Sequence, residues 1–180
     1  MIKKPLAFYK GVKGRFGAAQ FELTPPYLRC TKCRRYAQAN GTPDLACSSD
    51  HDPKLAPRYG HVMLEITSAS APGVYDWDNK IRFALGIDDV GKIVMFLRTA
   101  KEHDELSLFH DPGKGSSSES QVTKSLSLSS PKGLREGCLL KVTQNSKDKD
   151  PISHLVPLTG VEAMTLQIAM SSAIPKIIGW

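Results

Sequence analysis

The sequence of 180 residues has no uninterrupted apolar run of about 18 residues, the length needed for a membrane-spanning helix. Its longest apolar stretch, residues 161–180, is broken by polar residues such as Gln167 and Lys176. The basic residues 1–4 are not followed by the apolar core of a secretory signal peptide. We therefore predict no membrane partner and, at 41% hydrophobic residues, a single globular domain over 1–180.

Recognisable catalytic motifs are also lacking. The loop Gly113-Lys114-Gly115 does not have the spacing of a nucleotide-binding P-loop, and no strand-to-helix turn follows it. His110 is followed by Asp111, but no nucleophile is placed beside them. We interpret these two residues as a hydrogen-bonding pair at the end of a strand. The sequence therefore predicts a protein that is not an enzyme.

Acidic residues are scarce in the N-terminal third. Residues 1–58 contain 11 Lys and Arg but only four Asp and Glu, whereas residues 59–180 contain 13 and 14. The net charge of +6 is therefore due entirely to the first region. Such an asymmetry indicates an anionic partner, and nucleic acid is the commonest one. A solvated basic arm without a specific partner is the alternative.

The segment from Tyr75 to Leu85 contains the clearest structural pattern. Ile81, Phe83 and Leu85 alternate with Lys80 and Arg82, which is typical of a strand with one buried and one basic face. Trp77 shares the parity of the apolar residues, so we expect it to pack in the core rather than stack on a base. Lys80 and Arg82 are the better candidates for phosphate contacts.

Two helices are predicted. Asp88 or Asp89 is expected to cap the first, because apolar residues recur at helical spacing after it. The segment from Thr159 to Glu162 is a capping box that begins the second. Apolar residues cover more than one side of this second helix, and in a protein of this size a second chain is needed to cover them.

A cysteine-rich basic segment, residues 25–53, interrupts the pattern. Cys30, Cys33, Cys47 and His51 have the spacing C-x2-C-x13-C-x3-H, which can bind zinc tetrahedrally. Because the segment is too polar to order itself by apolar burial, a structural zinc ion would supply the missing stability. A disulfide or redox pair, or unligated thiols, are the alternatives. Arg34 and Arg35 beside the first pair would offset the thiolate charge and are candidate nucleic-acid contacts.

Several motifs in order resemble the Whirly family. They are Tyr75-Asp76-Trp77 before the basic strand and helix, Leu108-Phe109-His110-Asp111-Pro112 before a Lys/Gly/Ser loop, and the ending Ile177-Ile178-Gly179-Trp180. Residues 9–11 and 18–23 also resemble a Lys-Gly-Lys-Ala-Ala-Leu strand of that family, although residues 12–17 lengthen the turn. The likeness covers roughly residues 54–180 and this short N-terminal piece.

The resemblance implies an α+β fold of two antiparallel four-stranded sheets and two helices, with 25–53 as an insertion. It also implies a non-catalytic protein of an organelle, in the mitochondrion rather than the plastid, that binds single-stranded DNA or RNA as a homo-tetramer formed through its helices. The alternative is an RNA-binding structural subunit of a large organellar ribonucleoprotein such as the mitochondrial ribosome. The candidate phosphate contacts are Lys10, Lys13, Arg15, Arg34, Arg35, Lys80, Arg82, Lys124 and Lys141.

Overall fold

A computed structural model describes residues 5–11, 16–30, 36–37, 55–111, 122–147 and 149–180. Over these residues the chain forms twelve β-strands and two α-helices. The strands are β1 (Leu6–Tyr9), β2 (Gly17–Thr24), β3 (Tyr27–Cys30), β4 (Tyr36–Ala37), β5 (Leu55–Arg58), β6 (His61–Ala71), β7 (Val74–Tyr75), β8 (Ile81–Leu85), β9 (Asp104–His110), β10 (Val122–Ser130), β11 (Cys138–Ser146) and β12 (Lys149–Leu158). The helices are α1 (Ile87–Thr99) and α2 (Gly160–Ile178).

The first sheet has five strands rather than the four predicted. Its strand order is β1-β2-β6, and both β7 and β8 pair with β6. A 3-10 turn over Trp77–Asn79 separates β7 from β8, and the Asp76 side chain accepts a hydrogen bond from the Asn79 N–H to cap it. Because this turn breaks the period of two, Trp77 is half-buried and lies outside the core, contrary to prediction.

The predicted alternation in β8 is confirmed. Ile81, Phe83 and Leu85 are buried, whereas Arg82 and Ala84 on the opposite face are exposed. Apolar side chains of this kind stabilise the fold by roughly 1.5–3 kcal/mol each when fully buried. The burial of these side chains therefore directs the opposite face of β8, which carries Arg82, toward solvent.

The second sheet has four strands, as predicted, in the order β12-β11-β10-β9. All three pairings are antiparallel between consecutive strands. Leu126 of β10 is opposite Leu108 of β9 and Val142 of β11, and all three are buried. The alternate positions of these strands face away from the core.

A third, three-stranded sheet of order β4-β3-β5 was not predicted. Thr24 pairs with His61 and Tyr27 pairs with Arg58, so the β3–β5 pairing keeps the register of the β2–β6 pairing. Pro25 and Pro26 interrupt the ladder because proline has no N–H to donate. The prediction of two sheets is therefore wrong, and the start of the segment 25–53 is a continuation of the first sheet. We call β3 and β5 the ribbon.

Both helices pack against the common core. The local sequence predicted the start of α2 correctly, but not the start of α1. Gly86 caps α1, and the Asp89 carboxylate accepts a hydrogen bond from the Gly86 N–H at 3.1 Å. The predicted cap at Asp88 or Asp89 is thus wrong, because Asp89 caps from the third helical position. The predicted capping box of α2 is confirmed, with the Thr159 side chain accepting from the Glu162 N–H. Neither helix, within the described ranges, is long and apolar enough to cross a membrane.

Candidate nucleic-acid interface

An open groove of about 530 Å³ lies where the β8 edge of the first sheet meets β9 and β10 of the second. We call it the inter-sheet groove. Arg82 lines it from β8, and Lys124 lines it from β10. The Lys124 ammonium donates a hydrogen bond to the Arg82 carbonyl oxygen at 2.8 Å. The groove therefore brings together two cations from different sheets.

Phe109 is the exposed aromatic residue of the groove. It follows the buried Leu108 in β9, so alternation directs its ring outward, where 65% of it is exposed. Met63 of β6 lies across the groove. The alternation of β9 could have identified Phe109 from sequence as an exposed aromatic residue, but base stacking was considered only for Trp77. A nucleobase could stack on an aromatic ring placed in this way.

His110 forms the wall of the groove beside Phe109. Its ring stacks on Phe83 with 4.2 Å between centroids and 28° between planes. Its Nε2 lies 3.0 Å from the Asp89 carboxylate of α1. The contact with Asp89, which the sequence did not predict, ties β9 to the start of α1. These contacts hold the groove wall rigidly against the core.

Lys80 and Arg82 both contact one carboxylate on the outer face of the first sheet. The Glu65 carboxylate accepts from the Arg82 Nε at 2.7 Å and lies 3.0 Å from the Lys80 ammonium. Gln20 on β2 donates to the same group. Burial raises the pKa of Glu65, but the hydrogen bonds from Lys80, Arg82 and Gln20 outweigh it and lower this pKa overall. Glu65 is therefore charged at neutral pH.

Burial lowers the pKa of Lys124, and the positive charge of Arg82 lowers it further. An incoming phosphate would relieve this repulsion between the two cations.

Lys141, by contrast, is exposed in β11 and does not line the groove. The structure thus places Arg82 and Lys124 together and Lys141 apart from them.

Lys10 at the end of β1 contacts α2. Its ammonium lies 2.6 and 2.7 Å from the two carboxylate oxygens of Glu162. Because Glu162 also accepts from the Thr159 N–H at 2.8 Å, this ion pair joins β1 to the capping box of α2. Burial raises the pKa of Glu162, but hydrogen bonds from Lys10 and Thr159 lower it overall. The predicted phosphate contact of Lys10 would compete with this ion pair.

Most of the predicted zinc ligands and four of the predicted cations lie outside the described residues. These are Cys33, Cys47 and His51, and Lys13, Arg15, Arg34 and Arg35. Cys30 is described: it ends β3, is buried, and pairs in register with Leu55. Within the described part of the chain, no three His, Cys, Asp or Glu residues are grouped as a metal site requires.

A buried histidine that sequence reasoning missed joins the two sheets. His154 of β12 has its Nδ1 2.6 Å from the Ser68 hydroxyl of β6, and its Nε2 3.3 Å from the Asn79 carbonyl oxygen. Burial lowers its pKa, opposed by the Asn79 hydrogen bond and the Asp76 charge. No sequence pattern pairs these residues, because they are far apart in the chain. The contact is structural and lies outside the groove lining.

The fold and the groove together define a class of protein. It is an α+β protein of antiparallel sheets and two packed helices, with an open groove lined by cations and an aromatic ring. The model of the family described as Whirly transcription factor matches residues 42–169. The chain belongs to the Whirly family, which confirms the resemblance seen in the sequence.

Curated relatives carry descriptions of nucleic-acid binding. The chain is 34% identical over 124 residues to "Single-stranded DNA-binding protein WHY2, mitochondrial" of Arabidopsis thaliana, covering 68% of this chain and 50% of that protein. It is 32% identical over 124 residues to "Single-stranded DNA-binding protein WHY1, chloroplastic" of Solanum tuberosum, covering 68% and 43%. The chain thus spans about half the length of the curated relatives it matches.

Solved structures of the family share the fold. A structure of the plant transcriptional regulator PBF-2 matches with a TM-score of 0.72 and 25% identity, covering 100% of this chain and 93% of that one. A structure of WHY1 from Arabidopsis thaliana matches with a TM-score of 0.73 and 23% identity, covering 100% and 88%. The Whirly fold predicted from sequence is therefore confirmed in its helices and its antiparallel sheets.

Proposed function

We propose that this protein binds single-stranded DNA in an organelle, without catalysis, through the inter-sheet groove. The observation that carries the proposal is that the exposed Phe109 ring lines the same groove as Arg82 and Lys124. The descriptions of its relatives as single-stranded DNA-binding proteins support the choice of ligand.

The groove chemistry favours a single strand over a duplex. A base stacked on an aromatic side chain contributes about 1–3 kcal/mol, and only an unpaired strand can offer its base faces. Arg82 and Lys124 would contact the phosphates on either side of such a base. Binding of this kind tolerates many sequences and weakens as salt rises.

The proposal is tested by fluorescence anisotropy with a labelled oligothymidylate. Replacing Phe109→Ala should weaken binding by about 5- to 150-fold, the equivalent of one lost stack. Tyr59→Ala is the matched control, because Tyr59 is 70% exposed but lies outside the groove. Equal loss in both variants, or no binding by the unaltered protein, would contradict the proposal.

We propose that the remaining predicted cations guide the strand towards and away from the groove. Lys80 beside Arg82, and Lys141 on β11, are the described candidates apart from Lys10. Lys13, Arg15, Arg34 and Arg35 complete the predicted set. Each cation that contacts a phosphate should contribute about 0.7 to the slope of log affinity against log salt.

We propose a homo-tetramer formed through the helices. Val161, Met164 and Ile168 of α2 share one face and are exposed by 76%, 64% and 57%. Met95 of α1 is also exposed, and an apolar cleft of about 550 Å³ runs beside Leu97. Light scattering coupled to size-exclusion chromatography should give four times the chain mass.

We propose mitochondrial single-stranded DNA as the ligand, with RNA as the second candidate. The ribbon favours the RNA alternative, in which the protein is a structural subunit of an organellar ribonucleoprotein such as the mitochondrial ribosome. The ribbon strands flank the basic segment in the chain, and contact with RNA would order that segment. A DNA and an RNA oligonucleotide of equal length and sequence, titrated in parallel, distinguish the two: the proposal predicts tighter binding of DNA.

We propose a structural zinc ion bound by Cys30, Cys33, Cys47 and His51. Support comes from the ribbon, whose pairing of Cys30 with Leu55 brings the two ends of residues 31–54 together. Native mass spectrometry should show one zinc ion per chain, lost in Cys33→Ser. A chain mass without metal would contradict the zinc proposal and leave the groove proposal unaffected.

A further inference from the structure

We infer that Glu65 strengthens the preference of this protein for single strands over duplexes, by cancelling part of the positive charge beside the groove. This inference rests on the proposed function, and it assigns a role to an acidic residue that no phosphate would contact directly. Glu65 lies on the central strand β6, and its side chain is only 13% exposed.

The position of Glu65 is set by the sheet register. It pairs with Gln20 on one side and with Arg82 on the other, so the three side chains form one row across the outer face. Lys80 reaches the same carboxylate at 3.0 Å. One half-buried anion is therefore shared between two cations and an amide, and the group carries a net charge of +1 instead of +2.

The ion pair leaves Arg82 able to bind a ligand. Only the Arg82 Nε contacts Glu65, at 2.7 Å, and the Arg82 side chain is 63% exposed. A guanidinium has five N–H donors, so its terminal nitrogens are available for a phosphate. Glu65 thus orients the guanidinium, and its charge weakens the attraction that this cation exerts on any polyanion.

Selectivity follows from the balance between phosphate and base contacts. A duplex offers only phosphates to this surface and carries more charge per unit length than a single strand, so its affinity changes more when the net charge of the surface changes. A single strand adds stacking on Phe109, which Glu65 does not affect. By lowering the phosphate contribution alone, Glu65 makes stable binding require an exposed base.

The test measures the affinity of the Glu65→Gln variant for a labelled oligothymidylate, a blunt DNA duplex and inorganic polyphosphate. Glutamine keeps one of the two acceptor oxygens and removes the charge. We expect binding of the duplex and polyphosphate to tighten by about tenfold, with a salt slope steeper by about one. Binding of the oligothymidylate should tighten by less than about threefold, so the preference for single strands falls.

Two variants control the experiment. Glu22→Gln removes an exposed carboxylate two residues along from Gln20 in β2, one that has no ion pair within the part of the chain that is described. It should change each affinity by less than about twofold. Glu65→Gln in a Lys80→Gln background restores the net charge of +1 and should return the duplex affinity to near that of the unaltered protein. If Glu65→Gln alone is too unstable to purify, Lys80→Gln alone lowers the net charge of the group to zero and should weaken duplex binding more than oligothymidylate binding.

The outcomes separate the inference from the function on which it rests. An unaltered protein that binds no oligothymidylate overturns the proposed function. Normal oligothymidylate binding, with Glu65→Gln no different from Glu22→Gln, overturns only the inference. Equal tightening for duplex and single strand also overturns it, because Glu65 would then tune affinity without selectivity.

Discussion

The inter-sheet groove and one face of α2 both expose large apolar side chains, and the neighbours of those side chains differ. Phe109 in the inter-sheet groove lies beside Arg82 and Lys124. Met164 on α2 is as exposed as Phe109, but its neighbours on that helix face are Val161 and Ile168. Equal exposure therefore carries different meaning: an aromatic ring among cations fits a polyanion with bases, whereas a purely aliphatic face fits another apolar surface.

The largest effect should come from charging the aliphatic face. Met164→Glu would place a carboxylate in the proposed contact between copies, where it would be desolvated without a partner. We expect the tetramer to dissociate to smaller species in light scattering. Asn145→Glu, at an exposed position of β11 away from this face, is the control for added charge. A tetramer that survives Met164→Glu would show that this face is not the contact.

Removing the groove cations should have the next largest effect. Arg82→Gln with Lys124→Gln should weaken oligothymidylate binding by about tenfold or more at low salt, and should reduce the salt slope by about 1.4. Anisotropy titrations at several salt concentrations give both values. Lys132→Gln removes an exposed cation that lies outside the groove and outside the predicted set, and should change the slope by less than half as much. An unchanged salt slope in the double variant would show that the phosphates do not bind in the groove.

The stability of the fold should depend on pH through His154. Since burial holds its folded-state pKa below the ordinary value of 6.5, the neutral form is favoured in the native protein. This contribution is fully present above pH 6.5 and is lost as the pH falls from 6.5 through the lowered pKa. Urea unfolding between pH 7.5 and 5 should show the decline, and His154→Gln should reduce it.

His103→Asn is the matched control for that experiment. His103 is exposed and has a positive φ of 65°, a backbone conformation that asparagine adopts readily. Its replacement should leave the pH dependence of the free energy of unfolding unchanged. If it removed the decline as well as His154→Gln does, the assignment to His154 would be wrong.

The smallest effect concerns the ion pair of Lys10. Lys10→Met should lower the free energy of unfolding by about 0.5–1 kcal/mol, because Glu162 loses a partner at the start of α2. The folded-state pKa of Glu162 is lowered, so this stability is present above its ordinary value of 4.5 and is lost as the pH falls through the folded pKa. If Lys10→Met left the stability unchanged but bound DNA much more weakly, Lys10 would instead be a phosphate contact.

Patterns carried by neighbouring residues predicted the structure well. The alternation of Ile81, Phe83 and Leu85 and the capping box from Thr159 to Glu162 both appear as predicted. Each depends on residues only a few positions apart, which act through local backbone geometry. The order of the motifs likewise identified the family.

Features set by long-range pairing were missed. The ribbon depends on the pairing of Tyr27 with Arg58, which lie 31 positions apart in the chain. The sequence Pro25-Pro26 instead indicated a turn. The contact of Glu65 with Arg82 depends on the register of β6 with β8. Local propensity contains no information on such pairings, so the sequence could supply the candidate cations but not their partners.

The central claim is that the strand lies in the inter-sheet groove with a base on Phe109. It is tested most directly by photo-crosslinking an oligonucleotide that contains 5-iodouracil and mapping the crosslinked peptide by mass spectrometry. The account predicts a crosslink at Phe109, lost when that residue is replaced by alanine. A principal crosslink on the aliphatic face of α2 or on the ribbon, with none in the groove, would contradict it.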